Sequence, residues 1–459
     1  MGYQRRISSI AHIGNIEIGG DNPIRIQSMA TVDTNDTEGC VAQAKRIIDA
    51  GGELVRFTTQ GTREAENMKN ISAQLKADGY DTPLVADVHF TAHVADVAAQ
   101  YCEKVRINPG NYVDPGRVFK HLEYTDEEYA EELKKIETKL VPFLNICKEH
   151  HTAIRVGVNH GSLSDRIMSR YGDTPEGIVE SCMEFLRICK REGFHDIVIS
   201  IKASNTVVMV TTVRLLVKTM EQEDMHYPLH LGVTEAGEGE DGRIKSAVGI
   251  GALLTEGIGD TIRVSLSEEP ECEIPVARQL VDSIEECARL RAKAAASIQD
   301  DTITLTIDEP HWETLQLKSA MAVGALLIDR QATKLEIVNP HFSASDLVTL
   351  ADAILQAARI KFTKTEYISC PGCGRTLYNL QETIARIKSA TSHLAGLKIG
   401  IMGCIVNGPG EMADADYGYV GAGRGKISLY KQKVCVEKNI PEEEAVEKLL
   451  ELINKDLQS

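Results

Sequence analysis

The chain has no apolar run long enough to cross a bilayer, so nothing in its 459 residues reads as a membrane span. Its opening, Met1-Gly-Tyr-Gln-Arg-Arg6, is not followed by the apolar segment of a signal peptide. Positive charge is also short. Against 67 Asp and Glu stand 50 Lys and Arg, a formal charge of −17, which argues against an extended nucleic-acid face because such a face must displace counterions. The eleven cysteines are too thinly spread for the disulfide framework of a small secreted scaffold. These absences predict a soluble protein of a reducing cytoplasm, with two or three domains that each bury their own core. Any anionic ligand must then be met by a local cationic pocket.

What is present concentrates near the C-terminal end. Two cysteines share one tight turn, Cys370-Pro-Gly-Cys373-Gly, and a third opens the stretch Cys404-Ile-Val-Asn-Gly-Pro-Gly-Glu411. Three thiolates and a nearby carboxylate make most of an iron–sulfur cluster site, with one position differently filled. Glycine and proline at both loops let the backbone fold closely around a compact inorganic group. Structural zinc is the alternative, but it wants four ligands in a closed tetrahedron and three cysteines do not close one. Cys435 could supply a fourth; it lies in Lys-Val-Cys-Val with no knuckle glycine and reads as a buried free thiol. Cys40, Cys102, Cys147, Cys182, Cys189, Cys272 and Cys287 have no metal spacing and read as buried small hydrophobes.

The N-terminal part reads as strands that each end in polar or glycine-rich residues and are each followed by a helical stretch. They fall at 24–29, 53–58, 83–90, 104–110, 153–160, 196–203, 229–235 and 260–266. Eight such units within about 270 residues predict an α/β fold, a (β/α)8 TIM barrel with its active face at the strand C-termini. Residues two apart on a strand share a face, which pairs Arg106 with Asn108, Lys202 with Ser204, Asp87 with His89, Arg263 with Ser265, and Arg155 with Asn159. Cations and amides at several strand ends are poor core material, and a barrel mouth gathers them onto one anion. Arg offers a planar fork and Lys a compact charge, which together suit a diphosphate. His89 could position that ligand or donate a proton, and Glu235, also at a strand end, is a candidate acid/base. The run Glu238-Gly-Glu-Asp241 reads as a solvated loop, and His160 and His230 as satisfied histidines in or beside the core.

Between barrel and cysteines, Ile244-Lys-Ser-Ala-Val-Gly-Ile-Gly-Ala-Leu-Leu254 is echoed by Leu317-Lys-Ser-Ala-Met-Ala-Val-Gly-Ala-Leu-Leu327. The second copy lacks the glycine turn and the cationic strand that follow the first, so residues 276–358 are expected to form a structural insert without a pocket. The expected division is 1–275 barrel, 276–358 insert, and 359–459 a small α/β iron–sulfur domain. In this last part the pattern predicts strands at 363–369, 397–402 and 426–430 and helices at 378–388 and 441–454. Both cysteine loops follow strands, which puts them on one edge.

The motifs Ile26-Gln-Ser-Met29, Asp87-Val-His-Phe90, Arg106-Ile-Asn-Pro-Gly-Asn111, Gly157-Val-Asn-His-Gly-Ser-Leu163, Lys202-Ala-Ser204, Leu231-Gly-Val-Thr-Glu-Ala-Gly237 and the Cys370/Cys373/Cys404/Glu411 pattern resemble the 4-hydroxy-3-methylbut-2-enyl diphosphate synthases. That resemblance covers both the barrel and the C-terminal domain. It implies reductive ring opening of 2-C-methyl-D-erythritol 2,4-cyclodiphosphate in the non-mevalonate isoprenoid route, and one [4Fe-4S] cluster on Cys370, Cys373 and Cys404 with Glu411 on the fourth iron. It further implies that Arg56, His89, Arg106, Asn108, Arg155, Asn159, Lys202 and Ser265 bind the substrate, that Glu235 donates a proton, and that Asn407 helps to place the substrate. Reduced ferredoxin or flavodoxin is the implied electron donor. The wording Glu123-Tyr-Thr-Asp-Glu-Glu128 and His160-Gly-Ser-Leu-Ser-Asp-Arg166 is similar to the long form of the family, and the echo at Leu317 resembles the tail of a shortened insert. Short-form relatives imply a homodimer in which one chain's cluster serves the other's barrel. Two rivals from other classes are a diphosphate-binding transferase with a zinc-stabilised appendage and a non-catalytic sensor of cluster state. A radical S-adenosylmethionine enzyme would carry its three cysteines in one short loop near the barrel's start, and none is present.

Overall fold

The computed structural model describes residues 3–89, 91–114, 123–405, 412 and 414–457. Eight parallel strands form a barrel: β1 (Arg25–Met29), β2 (Leu54–Thr59), β3 (Leu84–Val88), β4 (Lys104–Ile107), β5 (Ala153–Asn159), β6 (Ile197–Lys202), β7 (His230–Leu231) and β8 (Thr261–Ile262). Their order is β6-β5-β4-β3-β2-β1-β8-β7, and a parallel bridge from Ile199 to Leu229 closes β6 onto β7. Strands β2 to β8 are buried along their whole length, as expected of parallel strands covered by helices outside and side chains within. An antiparallel hairpin, Ala11–Ile13 with Ile16–Ile18, plugs the N-terminal end by packing Ala11, Ile13 and Ile18 on Leu54, Val85, Ala153 and Val198. With that end sealed, the mouth at the strand C-termini is where a ligand enters.

All eight predicted strands are present, the last two shorter than the runs that suggested them. Helix Glu273–Asp282 packs on β1 and crosses the expected 275/276 boundary, so the barrel's closing helix extends to Asp282. Cys272 is exposed at the turn before that helix and not buried, while Cys40, Cys102, Cys147, Cys182, Cys189 and Cys287 are buried as expected.

The insert holds a two-stranded parallel sheet, β9 (Thr302–Thr306) with β10 (Lys334–Val338), and its helices pack on the barrel. The echoed segments are both helical: α1 (Gly239–Leu254), a barrel helix, and α2 (Trp312–Ile328). They lie against each other reciprocally. A Cβ on Gly251 would come within 2.5 Å of Met321 Cγ, and one on Gly324 within 2.8 Å of the Val248 carbonyl oxygen. In the echo Gly251 corresponds to Gly324 and Val248 to Met321, so the two copies meet as the halves of a pseudo-two-fold pair. Helix α3 (Ala344–Ala357) then leads to the C-terminal domain.

That domain is a five-stranded sheet in sequence order: β11 (Glu366–Ser369), β12 (Lys398–Met402), β13 (Tyr417–Gly423), β14 (Lys426–Lys431) and β15 (Val434–Pro441). The first three are parallel, the last two pairings antiparallel. Helices Leu380–Thr391 and Glu442–Leu457 cover one face with Ile384, Ile387, Leu449 and Ile453. Strands β13 and β15 were not foreseen. Cys435, expected to be buried, is half-buried on β15 as a free thiol.

Candidate active site

The inward side chains of the barrel change character along its axis. Above the apolar plug lie Gln27, Lys104 and His230, all buried. Among the described residues, neither end of the Gln27 amide has a hydrogen-bond partner, nor has Lys104 Nζ or His230 Nε2. Burial, then the positive charges of Arg155 and Arg56, push the Lys104 ammonium well below its ordinary range. His230, expected to be a satisfied core histidine, keeps a 3.4 Å contact from Nδ1 to Thr261 and is held well below its usual pKa by burial and by Lys202.

At the mouth, Arg56, Arg106, Arg155, Lys202 and Arg263 come from five different strands or strand ends and line one cavity together with the buried carboxylate of Asp87. Arg106 Nη1 donates to Asp87 Oδ1 at 3.1 Å, Arg56 Nε lies 3.9 Å from Oδ2, and His89 Nε2 lies 3.4 Å from Oδ2. Burial alone would push the Asp87 carboxyl up, but Arg56, His89 and Arg106 hold it well below the usual carboxylate range. Burial brings His89 down to about 4, with Asp87 opposing and Arg106 reinforcing the shift. Arg106 also donates from Nη2 to the Gly157 carbonyl at 2.8 Å and to Asn159 Oδ1 at 3.2 Å. Arg263 makes a bidentate pair with Glu273, at 3.0 and 2.9 Å. Arg155 has no partner for Nε or Nη1 among the described residues, and burial followed by Arg56 and Arg106 depresses its pKa. Five basic side chains face three carboxylates, Asp87, Glu235 and Glu273, a lining in which basic groups outnumber acids and which an anion would complement.

The cysteine loops form the roof. Parallel pairing of β11 with β12 aligns Ser369 with Ile401, so the Cys370 and Cys404 loops leave the same sheet edge. That edge faces the barrel of the same chain. Ala236 pairs with Ser369 through a parallel bridge, and Ser267 Oγ donates to the Cys370 carbonyl at 3.0 Å. Lys245 Nζ meets Glu366 Oε1 at 3.2 Å, Arg359 holds the other oxygen, Lys388 reaches Glu238 at 3.0 Å, and Lys364 pairs with Asp241. Glu238, Glu240 and Asp241 are thus not a solvated loop: they form the N-terminal end of α1, and two of them bind the C-terminal domain.

Between floor and roof is one cavity of about 740 Å³, counting its open mouth. Arg56, His89, Arg106, Arg155, Asn159, Lys202, Glu235 and Ser265 line it from below, and Cys370, Cys373 and Cys404 from above. Asn108 does not line it. Its side chain accepts from Gly110 N at 3.1 Å, capping the helix Pro109–Tyr112, and donates to Ser162 Oγ at 2.8 Å. Glu235 is buried with φ of 49°, a left-handed backbone that is strained for a residue with a Cβ, as is common where side chains are aimed at a site. His160 pairs with Asp173 at 2.6 Å, apart from the cavity. Glu411 and Asn407 lie outside the described residues.

Among the lining residues not foreseen, three stand out. Arg375, two positions after Cys373, keeps only 9% of its side chain exposed, hydrogen bonds Cys404 and reaches Asp87 Oδ2 at 4.0 Å, so a roof cation closes onto the floor's carboxylate. Met29 turns its sulfur to Arg56, with Nη2 at 2.7 Å. Met402 lies at the end of β12. The signal for Arg375 was a cation within the cysteine motif itself, Cys370-Pro-Gly-Cys-Gly-Arg375.

The thiols fit an inorganic cluster. They converge on one cavity without disulfides, and Gly403 N donates to Cys370 Sγ at 3.1 Å, the kind of amide–sulfur contact that steadies a metal-bound thiolate.

Residues 8–278 match the family model described as the GcpE TIM-barrel domain, and 366–455 that of the GcpE protein C-terminal domain. The chain belongs to the GcpE family. Among its similar relatives, the 4-hydroxy-3-methylbut-2-en-1-yl diphosphate synthase (flavodoxin) of Phocaeicola vulgatus is 54% identical, over 98% of each chain. The protein of the same name from Bacteroides thetaiotaomicron is 53% identical over 99% of this chain and 98% of its own. That of Leptospira interrogans is 36% identical over 98% and 97%. The first alignment runs over 600 positions against a chain of 459, so at least 141 of those positions have no residue in this GcpE family member.

Proposed function

We propose that the chain converts 2-C-methyl-D-erythritol 2,4-cyclodiphosphate to 4-hydroxy-3-methylbut-2-enyl diphosphate. Two electrons and two protons enter, the cyclic C–O bond breaks and one water leaves. The observation that supports this reading most is the single cavity with a cationic floor and a three-cysteine roof. The floor suits the diphosphate: Arg56, Arg106, Arg155 and Lys202 supply the charge, while His89, Asn159 and Ser265 supply hydrogen bonds that fix its orientation. Asn108 acts from behind, fixing the loop at the end of β4.

On this reading Cys370, Cys373 and Cys404 hold one [4Fe-4S] cluster per chain, with Glu411 as the exchangeable ligand of the fourth iron. When bound, that group supplies electrons and an iron with Lewis acidity. The protein's own residues do the rest. The floor holds the diphosphate so that the carbon bearing the breaking bond faces the roof, Glu235 delivers a proton to the departing oxygen, and Asn407 orients the substrate's hydroxyls. Arg375 adds a cation from the roof, so that closure and diphosphate binding favour one another. The donor is a reduced flavodoxin, as the names of the relatives suggest, and the setting is the cytoplasm; among the described residues no helix is long and apolar enough to cross a membrane. Residues 1–282, with the barrel's closing helix included, act as the substrate domain and 359–459 as the cluster domain, with 283–358 as a shortened insert of structural role.

The test is anaerobic iron and acid-labile sulfide content with EPR of the dithionite-reduced protein, with and without the cyclodiphosphate, beside Glu411→Ala. The expected result is one [4Fe-4S] cluster per chain, a spectrum changed by substrate, and product formation that Glu411→Ala abolishes. Stoichiometric zinc without sulfide in strictly anaerobic protein would overturn the reading.

A further inference from the structure

The C-terminal domain differs from the rest of the chain in charge. Residues 359–459 carry 14 Lys and Arg against 12 Asp and Glu, leaving 36 against 55 elsewhere. Within 359–441, before the acidic last helix, the balance is 12 against 6. A molecule that repels an acidic partner over most of its surface therefore offers one region that does not.

The sheet register says where part of that charge lies. Strand β13 runs parallel to β12, with Val420 opposite Met402. Two residues beyond Met402 is Cys404, so Ala422 comes level with it, and the Arg424-Gly425 turn joining β13 to β14 emerges on the cysteine edge. The approach is close: Gly421 packs on the Gly403 carbonyl with no room for a Cβ. Ala422, Arg424 and Lys426 are exposed, and neither cation has an ion-pair partner among the described residues. Next to Cys404, Ile405 exposes 55% of its surface, a large apolar side chain outside the cavity and beside the thiol.

We propose that this patch, Ile405 with the cationic hairpin tip of Ala422, Arg424 and Lys426, is where the electron donor docks, and that its occupant is flavodoxin, an acidic protein with a flavin edge at its surface. The inference rests on the redox reading above. Charge favours this occupant: an acidic protein is repelled elsewhere and drawn here, which orients its flavin toward the cysteine loop. Size favours it as well, because electron-transfer encounters use small patches, and one apolar contact ringed by charge gives fast arrival and fast release. None of the four residues lines the cavity and all are exposed, so the donor can deliver electrons while substrate occupies it.

The test is stopped-flow oxidation of flavodoxin hydroquinone by the cluster-loaded protein, for wild type and for Arg424→Glu/Lys426→Glu, at low and high salt. The double variant is expected to slow electron transfer about tenfold or more at low salt and to lose the wild type's decline with ionic strength. Its iron and sulfide content and its dithionite-driven turnover are expected to match wild type, because neither residue touches the cavity. A variant that accepts electrons from flavodoxin at the wild-type rate would overturn the docking site. A wild type oxidised fast by ferredoxin and not by flavodoxin would overturn the occupant. Electron transfer needs no cyclodiphosphate, so absence of dithionite-driven turnover would count against the proposed reaction, while the stopped-flow traces still decide the docking.

Discussion

Arg375 and Asp87 are 288 positions apart in sequence and 4.0 Å apart in space, and they show what one residue contributes to joining two domains. Arg375→Gln removes the charge and keeps a polar, though shorter, side chain. Loss of a charge-assisted contact costs about 1.5–3 kcal/mol, so KM for the cyclodiphosphate is expected to rise about tenfold or more, and the substrate-induced EPR change to need correspondingly more substrate, with iron content unchanged. A purely structural role would lower iron content or thermal stability and leave KM alone. His89 gives a pH dependence. Its pKa falls from an ordinary 6.5 to about 4 in the folded protein. The unfolded chain therefore takes up a proton as pH drops through 6.5, whereas the folded protein resists until about 4, so stability declines with acid across that window. In His89→Gln this part of the decline is expected to vanish from a series of thermal melts between pH 7 and 4.

At the scale of elements, the reciprocal contact of α1 and α2 is the most exacting feature. Gly251→Ala or Gly324→Ala forces an added methyl into backbone or Met321, and each is expected to destabilise by about 1–3 kcal/mol in chemical denaturation, although alanine is the better helix former. The eight barrel strands are legible in the sequence because each is a short β-rich run closed by polar residues, and strand parity alone puts Arg106, Lys202 and Arg263 on the inner face. Strand β13, Tyr417–Gly423, escapes such reading because it spends three of seven residues on glycine. Strand β15 escapes as a charged, mostly exposed edge, the composition that discourages further pairing. For Asn108, parity finds the right strand and the wrong role, since it gives a face but not whether an amide turns to cap the next helix. Arg375, Glu273 and the roof contacts carry no periodic signal at all, because they join segments distant in sequence.

For the whole molecule, the cysteine loops close over the barrel of their own chain through Lys245–Glu366, Lys388–Glu238 and the Ala236–Ser369 bridge. The exchange between two chains implied by short-form relatives is not needed to complete this cavity. A mixture of Lys202→Ala and Cys404→Ala proteins is accordingly expected to stay inactive, because no chain in it has both floor and roof. Recovered turnover on mixing would mean that the domains trade partners in solution. Being tethered, the roof meets the floor at an effective concentration fixed by the intervening segment and not by how much protein is present. A cell holding only a few copies of this protein therefore has each of them assembled, and its output scales with copy number in simple proportion, with no threshold below which the halves drift apart.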